Sequence, residues 1–265
     1  MMSKPASHES PSTGHRCVAV IGGTGMNQWP GLEVREQRAM DTPYGLASAP
    51  LLLGTFASAP AVFLARHGEG HKIPPHAINY RANLWALRDV GITHVIAIGA
   101  VGAIASWFTP GSVAVPDDLI DYTSGRQHTY SDGGSSLLQH VEFTEPYAAQ
   151  LRRALIDAAA GARIEVHDGG VLAVTQGPRL ESAAEVRRLQ RDGCDMIGMT
   201  GMPEAGLARE LGLDYVNLAV SVNWAAGFGT GDIHAEIHQS IDQGMGRVRA
   251  ILAAALPALT GPVKT

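Results

Sequence analysis

Short apolar runs alternate with amphipathic stretches along nearly the whole chain, and this alternation constrains the fold more than any other feature. CVAVIG (17–22), PLLLGTF (50–56), AVFLARHG (61–68), HVIAIGAVG (94–102), SVAVPDDLIDY (112–122), GGVLAVTQG (169–177), DMIGMT (195–200) and YVNLAVSVN (215–223) read as strands. Helical patterns lie between them. HAINYRANLWALRDVG (76–91) places Ile78, Ala82, Leu84, Trp85 and Val90 near one side and ends on Gly91, a helix-stopping residue. The stretch 144–161 opens on a threonine and an acid near a proline and closes on Gly161. Segments 179–193 and 202–212 repeat that design, and 234–259 reads as a long final helix. Strands alternating with helices predict one wound α/β domain over 17–265.

Composition narrows the setting. Of 265 residues, 45% are apolar, enough for a substantial core. A net charge of −5 argues against a nucleic-acid or acidic-membrane surface. Two cysteines, Cys17 and Cys194, make no disulfide framework and fit a reducing compartment, so a cytoplasmic enzyme is expected. No apolar run reaches the roughly 18–20 residues that span a bilayer. Residues 1–16 lack the apolar segment of a secretory signal and read as a disordered leader. The stretch 123–143 reads as a long loop, of the kind that carries function or meets a partner.

Several short motifs carry chemistry. VAVIGGTGMN (18–27) is a strand running into a glycine loop. It is not a dinucleotide fingerprint, because Gln28 stands where the third glycine belongs, and no Lys-Ser/Thr pair makes it a P-loop. Backbone N–H groups and the Thr24 hydroxyl remain to hold a small oxyanion, or the loop is an ordinary turn. LARHGEGH (64–71) puts Arg66 and His67 after an apolar strand. The guanidinium fork matches phosphate, and the imidazole donates to an oxyanion or bears a phosphoryl group, as in histidine phosphatases. Glycine and proline among His67, Glu69, His71 and His76 forbid the helix that would align metal ligands. TQGPRLES (175–182) suggests a helix start with Glu181 in its first turn. The methionines of DMIGMTGMPE (195–204) are core filler or an apolar floor for a sugar. Asn223, at the end of a buried strand, sits where α/β proteins bind ligands, or simply turns the chain.

In this order, IGGTG, DTPYG, LARHGEGH, NYRANLWAL, PGSVAVPDDLIDYT, TQGPRLES and GMTGMPEAGLARELG resemble the trimeric purine nucleoside phosphorylase family, most closely its methylthioadenosine phosphorylase branch. NYRANLWALRDVG, LIDYTSGRQHTY and VNWAAG resemble the bacterial members of that branch that cleave S-methyl-5'-thioinosine. The resemblance implies one domain with a mixed central β-sheet flanked by helices, a homotrimer, and inorganic phosphate as nucleophilic co-substrate with no metal or organic cofactor. It assigns phosphate binding to Thr24, Arg66, His67, Gly99, Ala100 and Thr200. Gly99 stands where the family has a threonine, so one hydroxyl donor is lost and a backbone N–H remains. Met199 is expected under the ribose, Leu180 against the base, and His140 in the sugar pocket of a neighbouring subunit.

The base pocket departs from the adenine-specific pattern. Asn223 and Ala225 replace an Asp-x-Asp pair, and Glu181 completes the set. A 6-oxopurine presents N1–H to a carboxylate and N7 and O6 to an amide, so Glu181 and Asn223 suit hypoxanthine, with Asn223 and His67 expected to act in catalysis. At the 5' end, Ile233 and Ile237 suit a methylthio group, whereas His234 and His238 suit a hydroxyl. The expected reaction is phosphorolysis of S-methyl-5'-thioinosine to hypoxanthine and 5-methylthioribose 1-phosphate. The alternatives are phosphorolysis of inosine or guanosine, phosphorolysis of methylthioadenosine, hydrolysis by a nucleosidase, and an RHG-type phosphatase.

Overall fold

The computed structural model describes residues 17–26, 28–131, 133, 138, 140–229, 231 and 233–260, without the side chains of His234 and Glu236. The leader expected over 1–16 lies outside them.

Four parallel strands form the spine. β1 (Val18–Gly22) is followed by an antiparallel flank of β2 (Glu33–Arg38), a small hairpin of β3 (Asp41–Thr42) and β4 (Gly45–Leu46), and β5 (Leu51–Phe56). β6 (Ala59–Ala65) then pairs parallel with β1. α1 (Tyr80–Asp89) leads to β7 (His94–Ala103), on the other side of β1. Next come β8 (Val113–Val115), β9 (Asp118–Asp121), α2 (Ala149–Gly161), β10 (His167–Asp168) and β11 (Val171–Val174). α3 (Ala183–Arg191), β12 (Met196–Gly198) and α4 (Gly201–Glu210) precede β13 (Asp214–Trp224), which pairs parallel with β7. α5 (Ile233–Leu259) ends the described chain. The principal order is β10-β8-β13-β7-β1-β6-β5-β2, with β12 antiparallel to β7 and carrying β11 and β9 outward. The sheet is therefore mixed, as the resemblance implies.

Period-two alternation explains how both faces are covered. In β1, Val18 and Val20 face a core shared with α2 and α5, while Ala19 and Ile21 face one shared with α1 and α4. Burying each such aliphatic side chain contributes about 1.5–3 kcal/mol.

Several element boundaries differ from the pattern. Asn79 caps α1 by accepting from the Ala82 N–H, and Tyr80, Asn83 and Leu87 join its buried face. α2 begins at Ala149, five residues later than the pattern suggests. The single strand expected at 112–122 is two, β8 and β9, divided at Pro116, which lacks a ladder donor. β2 is exposed throughout and shows no apolar period, so it escapes a reading based on burial.

Candidate functional site

Parallel strands bring their carboxyl ends to one edge, where α/β sheets bind ligands. β1 runs into Gly23 and Thr24, β6 runs into Arg66 and His67, and Asn223 is the penultimate residue of β13. All line one cavity, together with Gly99 and Ala100 of β7 and Met199 and Thr200 after β12. Leu180, Glu181 and Ala225 line it as well, and α5 contributes Ile233 and Ile237.

Close packing shapes the floor. A β carbon on Gly23 would lie 2.9 Å from Arg66 Nη1 and 2.8 Å from the Ile98 carbonyl oxygen, so only glycine lets the loop sit on the guanidinium. Gly25 takes φ of +81°, a conformation that favours glycine.

Arg66 is buried, and its fork is already engaged. Nε and Nη2 donate to the two Glu204 carboxylate oxygens at 2.8 Å each, and Nη1 donates to the Ile98 carbonyl at 3.0 Å. Burial alone would lower the guanidinium pKa, but the Glu204 charge and hydrogen bonds raise it above the ordinary value. Tyr215 donates to Glu204 at 2.8 Å. With three of its five N–H groups used, Arg66 retains two for an anion.

His67 is held by its Nδ1, 2.8 Å from the Ile73 carbonyl. A carbonyl only accepts, so Nδ1 carries the proton and neutral His67 keeps a lone pair on Nε2. Burial, and then the Arg66 charge, push its pKa down to about 4. Donation from His67 to an oxyanion therefore requires that Nε2 first take a proton. The His71 ring lies 4.3 Å from the His67 ring, centre to centre, and its Nε2 is 3.5 Å from Thr24 Oγ1.

Glu181 accepts from the Thr175 hydroxyl at 2.6 Å. It precedes α3 and is not in its first turn. Ser182 is the cap there, and Glu185 completes the capping box. Glu181 is thus free of a helix-end role. Asn223 is buried and donates one amide N–H to the Trp224 carbonyl at 2.7 Å, leaving the other N–H and Oδ1. Thr200 stands at the start of α4 but makes no capping hydrogen bond with its side chain.

Among the described residues, His140 and His238 are not brought to this cavity. His140 is exposed and does not line it, and the His234 side chain lies outside the described residues. His238 is exposed and also away from the lining. Two further residues escaped the motif reading. Glu204 is a lone acid in an apolar helical stretch, GMPEAGLA, which is the available signal for a buried partner. Arg126 is 7% exposed, and Nε donates to Gln176 Oε1 at 3.3 Å. Its Nη1 donates to Tyr80 Oη at 3.2 Å, Met199 O at 2.9 Å and Met202 O at 2.5 Å, and its Nη2 to Thr175 O at 3.2 Å and Gln176 O at 2.9 Å. Burial lowers its pKa, partly offset by Tyr80 and Asp121. Among the described residues no group of three or more His, Cys, Asp or Glu is arranged to hold a metal ion, and no helix is long and apolar enough to cross a membrane.

Comparison with known proteins identifies the family. The profile of the phosphorylase superfamily matches residues 18–257. A Pseudomonas syringae pv. tomato protein named "Probable S-methyl-5'-thioinosine phosphorylase" is 51% identical over 241 residues, covering 91% of this chain and 98% of that protein. The 6-oxopurine nucleoside phosphorylase of Pyrococcus furiosus is 40% identical over 246 residues, covering 91% and 92%. The structure of Schistosoma mansoni methylthioadenosine phosphorylase in complex with adenine superposes with a TM-score of 0.86 at 31% identity, covering 92% of both chains. A strand-end cavity with an arginine, a glycine loop, a carboxylate and an amide, on a chain matched almost end to end, places this protein in the phosphorylase superfamily.

Proposed function

We propose that the protein is a purine nucleoside phosphorylase-type pentosyltransferase that cleaves S-methyl-5'-thioinosine with inorganic phosphate, giving hypoxanthine and 5-methylthioribose 1-phosphate. The observation that carries this reading is the chemical gradient along one cavity. The glycine loop and Arg66 follow β1 and β6, Asn223 lies on β13 with β7 between it and β1, Glu181 follows β11 on the β12 side, and Ile233 and Ile237 come from α5. Phosphate fits the two unused Arg66 N–H groups, the Thr24 and Thr200 hydroxyls and the Gly99–Ala100 backbone. Glu181 accepts from purine N1–H, while Asn223 offers its remaining N–H to O6 and its Oδ1 to a protonated N7. The aliphatic pair from α5 supports a methylthio group over a hydroxyl, since a hydroxyl buried against those two side chains loses water and gains no hydrogen bond from either.

In the reaction, the C1'–N9 bond breaks with its electron pair leaving on the purine, and a phosphate oxygen forms the new bond to C1'. Phosphate charge stabilises the oxocarbenium-like sugar, and Asn223 and Glu181 accommodate charge on the purine. Holding both reactants replaces a bimolecular encounter with an aligned attack. Monohydrogen phosphate brings one proton, and hypoxanthine gains one on release. The Nε2 lone pair of neutral His67 is suited to accept from the P–OH group as attack proceeds. These steps call for no metal or organic cofactor. Met199 and Leu180 supply apolar contact to ribose and base.

The active form is proposed to be a cytoplasmic homotrimer in which His140, exposed on the 123–143 segment, reaches the sugar pocket of a neighbouring copy. Turnover of methylthioinosine, inosine and methylthioadenosine, each with and without phosphate, tests the reading. Fastest turnover of methylthioinosine, and only with phosphate, is expected. Fastest turnover of methylthioadenosine overturns the base assignment, phosphate-independent cleavage indicates a nucleosidase, and fastest turnover of inosine assigns the 5' site to a hydroxyl.

A further inference from the structure

Arg126 belongs to the long 123–143 segment but takes none of the reactant contacts proposed above. It is a buried cation with no carboxylate hydrogen-bonded to it among the described residues, and backbone carbonyls surround it instead. On one side its partners are Thr175 and Gln176, which lead from β11 into Glu181, and the Thr175 hydroxyl itself donates to Glu181. On the other side its partners are the carbonyls of Met199 and Met202, which flank Thr200. One rigid guanidinium thus spans the base end and the phosphate end of the cavity.

We propose that Arg126 is a positioning residue that fixes the spacing of the base and phosphate subsites, so that the two reactants bind in register and strengthen each other's binding. The inference rests on the phosphorolysis reading. A planar fork can serve carbonyls on both sides at once, whereas an ammonium is a single point charge on a flexible stem. Misplacing reactants by about 1 Å costs on the order of 100-fold in rate. Coupling between two ligands is reciprocal, so it is measurable from either side.

The test uses the full chain and Arg126→Lys. Calorimetry measures phosphate alone, hypoxanthine alone, and each in the presence of the other, alongside kcat for methylthioinosine. Expected are separate affinities within about threefold of wild type, loss of the mutual enhancement, and kcat lower by roughly 100-fold. Enhancement equal to wild type overturns the proposal. So does a fall of both separate affinities in step with kcat, or a wild type that shows no enhancement. If the lysine variant does not fold, Gln176→Leu removes the Nε acceptor, and with it the acceptor of the Ser124 N–H, while the carbonyl partners of Arg126 stay in place. It is expected to weaken the enhancement severalfold, and an unchanged enhancement overturns the proposal. Phosphate-independent turnover by the wild type sinks the phosphorolysis reading, whereas phosphate-dependent turnover with intact enhancement in the variant sinks only the role of Arg126.

Discussion

Arg66 and Glu204, 138 residues apart in sequence, meet as a two-pronged ion pair at 2.8 Å on each arm with both side chains buried. The carboxylate satisfies the inward edge of the guanidinium, which leaves the cavity-side N–H groups for an anion. Removing one member of a buried pair strands the other charge, at a cost of about 3–5 kcal/mol. Glu204→Ala is therefore expected to lose stability of that order in urea denaturation. Tyr215→Phe, which removes one donor to Glu204, is expected to lose about 1–3 kcal/mol.

Acid sensitivity follows from His67. Its value in the folded protein, about 4, lies below the ordinary 6.5, so the folded state resists protonation more than the unfolded chain does. This contribution is complete above pH 6.5 and is lost as pH falls through 6.5 toward 4. Denaturation of wild type and His67→Asn across that window is the measurement. The variant is expected to lose less stability on acidification.

The proposed function makes Asn223 the residue that sets base choice. Replacing it with aspartate places a carboxylate against O6 and removes an N–H donor. Asn223→Asp is expected to lower kcat/KM for methylthioinosine by roughly 100-fold or more and to narrow its advantage over methylthioadenosine. An unchanged ratio between the two substrates removes Asn223 from base discrimination.

Ile237 tests the 5' end. A shortened, polar side chain there loses apolar contact worth about 1–3 kcal/mol. Ile237→Asn is expected to reduce kcat/KM for methylthioinosine roughly 10- to 200-fold while affecting inosine much less. Equal losses on the two substrates detach Ile237 from the methylthio group.

Gly99 has an unusual neighbour. Asn217 is 1% exposed and its Oδ1 has no hydrogen-bond partner among the described residues, while a β carbon on Gly99 would lie 3.4 Å from the amide nitrogen and oxygen. A serine hydroxyl at 99 is placed to satisfy that acceptor. Gly99→Ser is expected to gain about 1 kcal/mol in denaturant unfolding. A loss of stability shows that strand β7 does not accommodate the side chain.

Local pattern in the chain determined the class of fold, the spine strands and the motifs that reach the cavity. Apolar runs such as 17–22 and 94–102 repeat a strand period, and the turn after each strand carries its own glycine, arginine or asparagine. Those signals span a few residues and are legible one at a time. Tertiary structure alone decided which polar groups the functional residues already hold. In the sequence Glu204 is one acid in an apolar stretch and Arg126 one charge in a loop, whereas in the fold they hold Arg66 and a ring of carbonyls, and the helix-end role expected of Glu181 belongs to Ser182 and Glu185. Such pairings join segments far apart in sequence, and only the packed sheet and its helices bring them within hydrogen-bond reach. Burial then makes each charged pairing close to obligatory, because a charge stranded inside the fold costs a large share of its net stability.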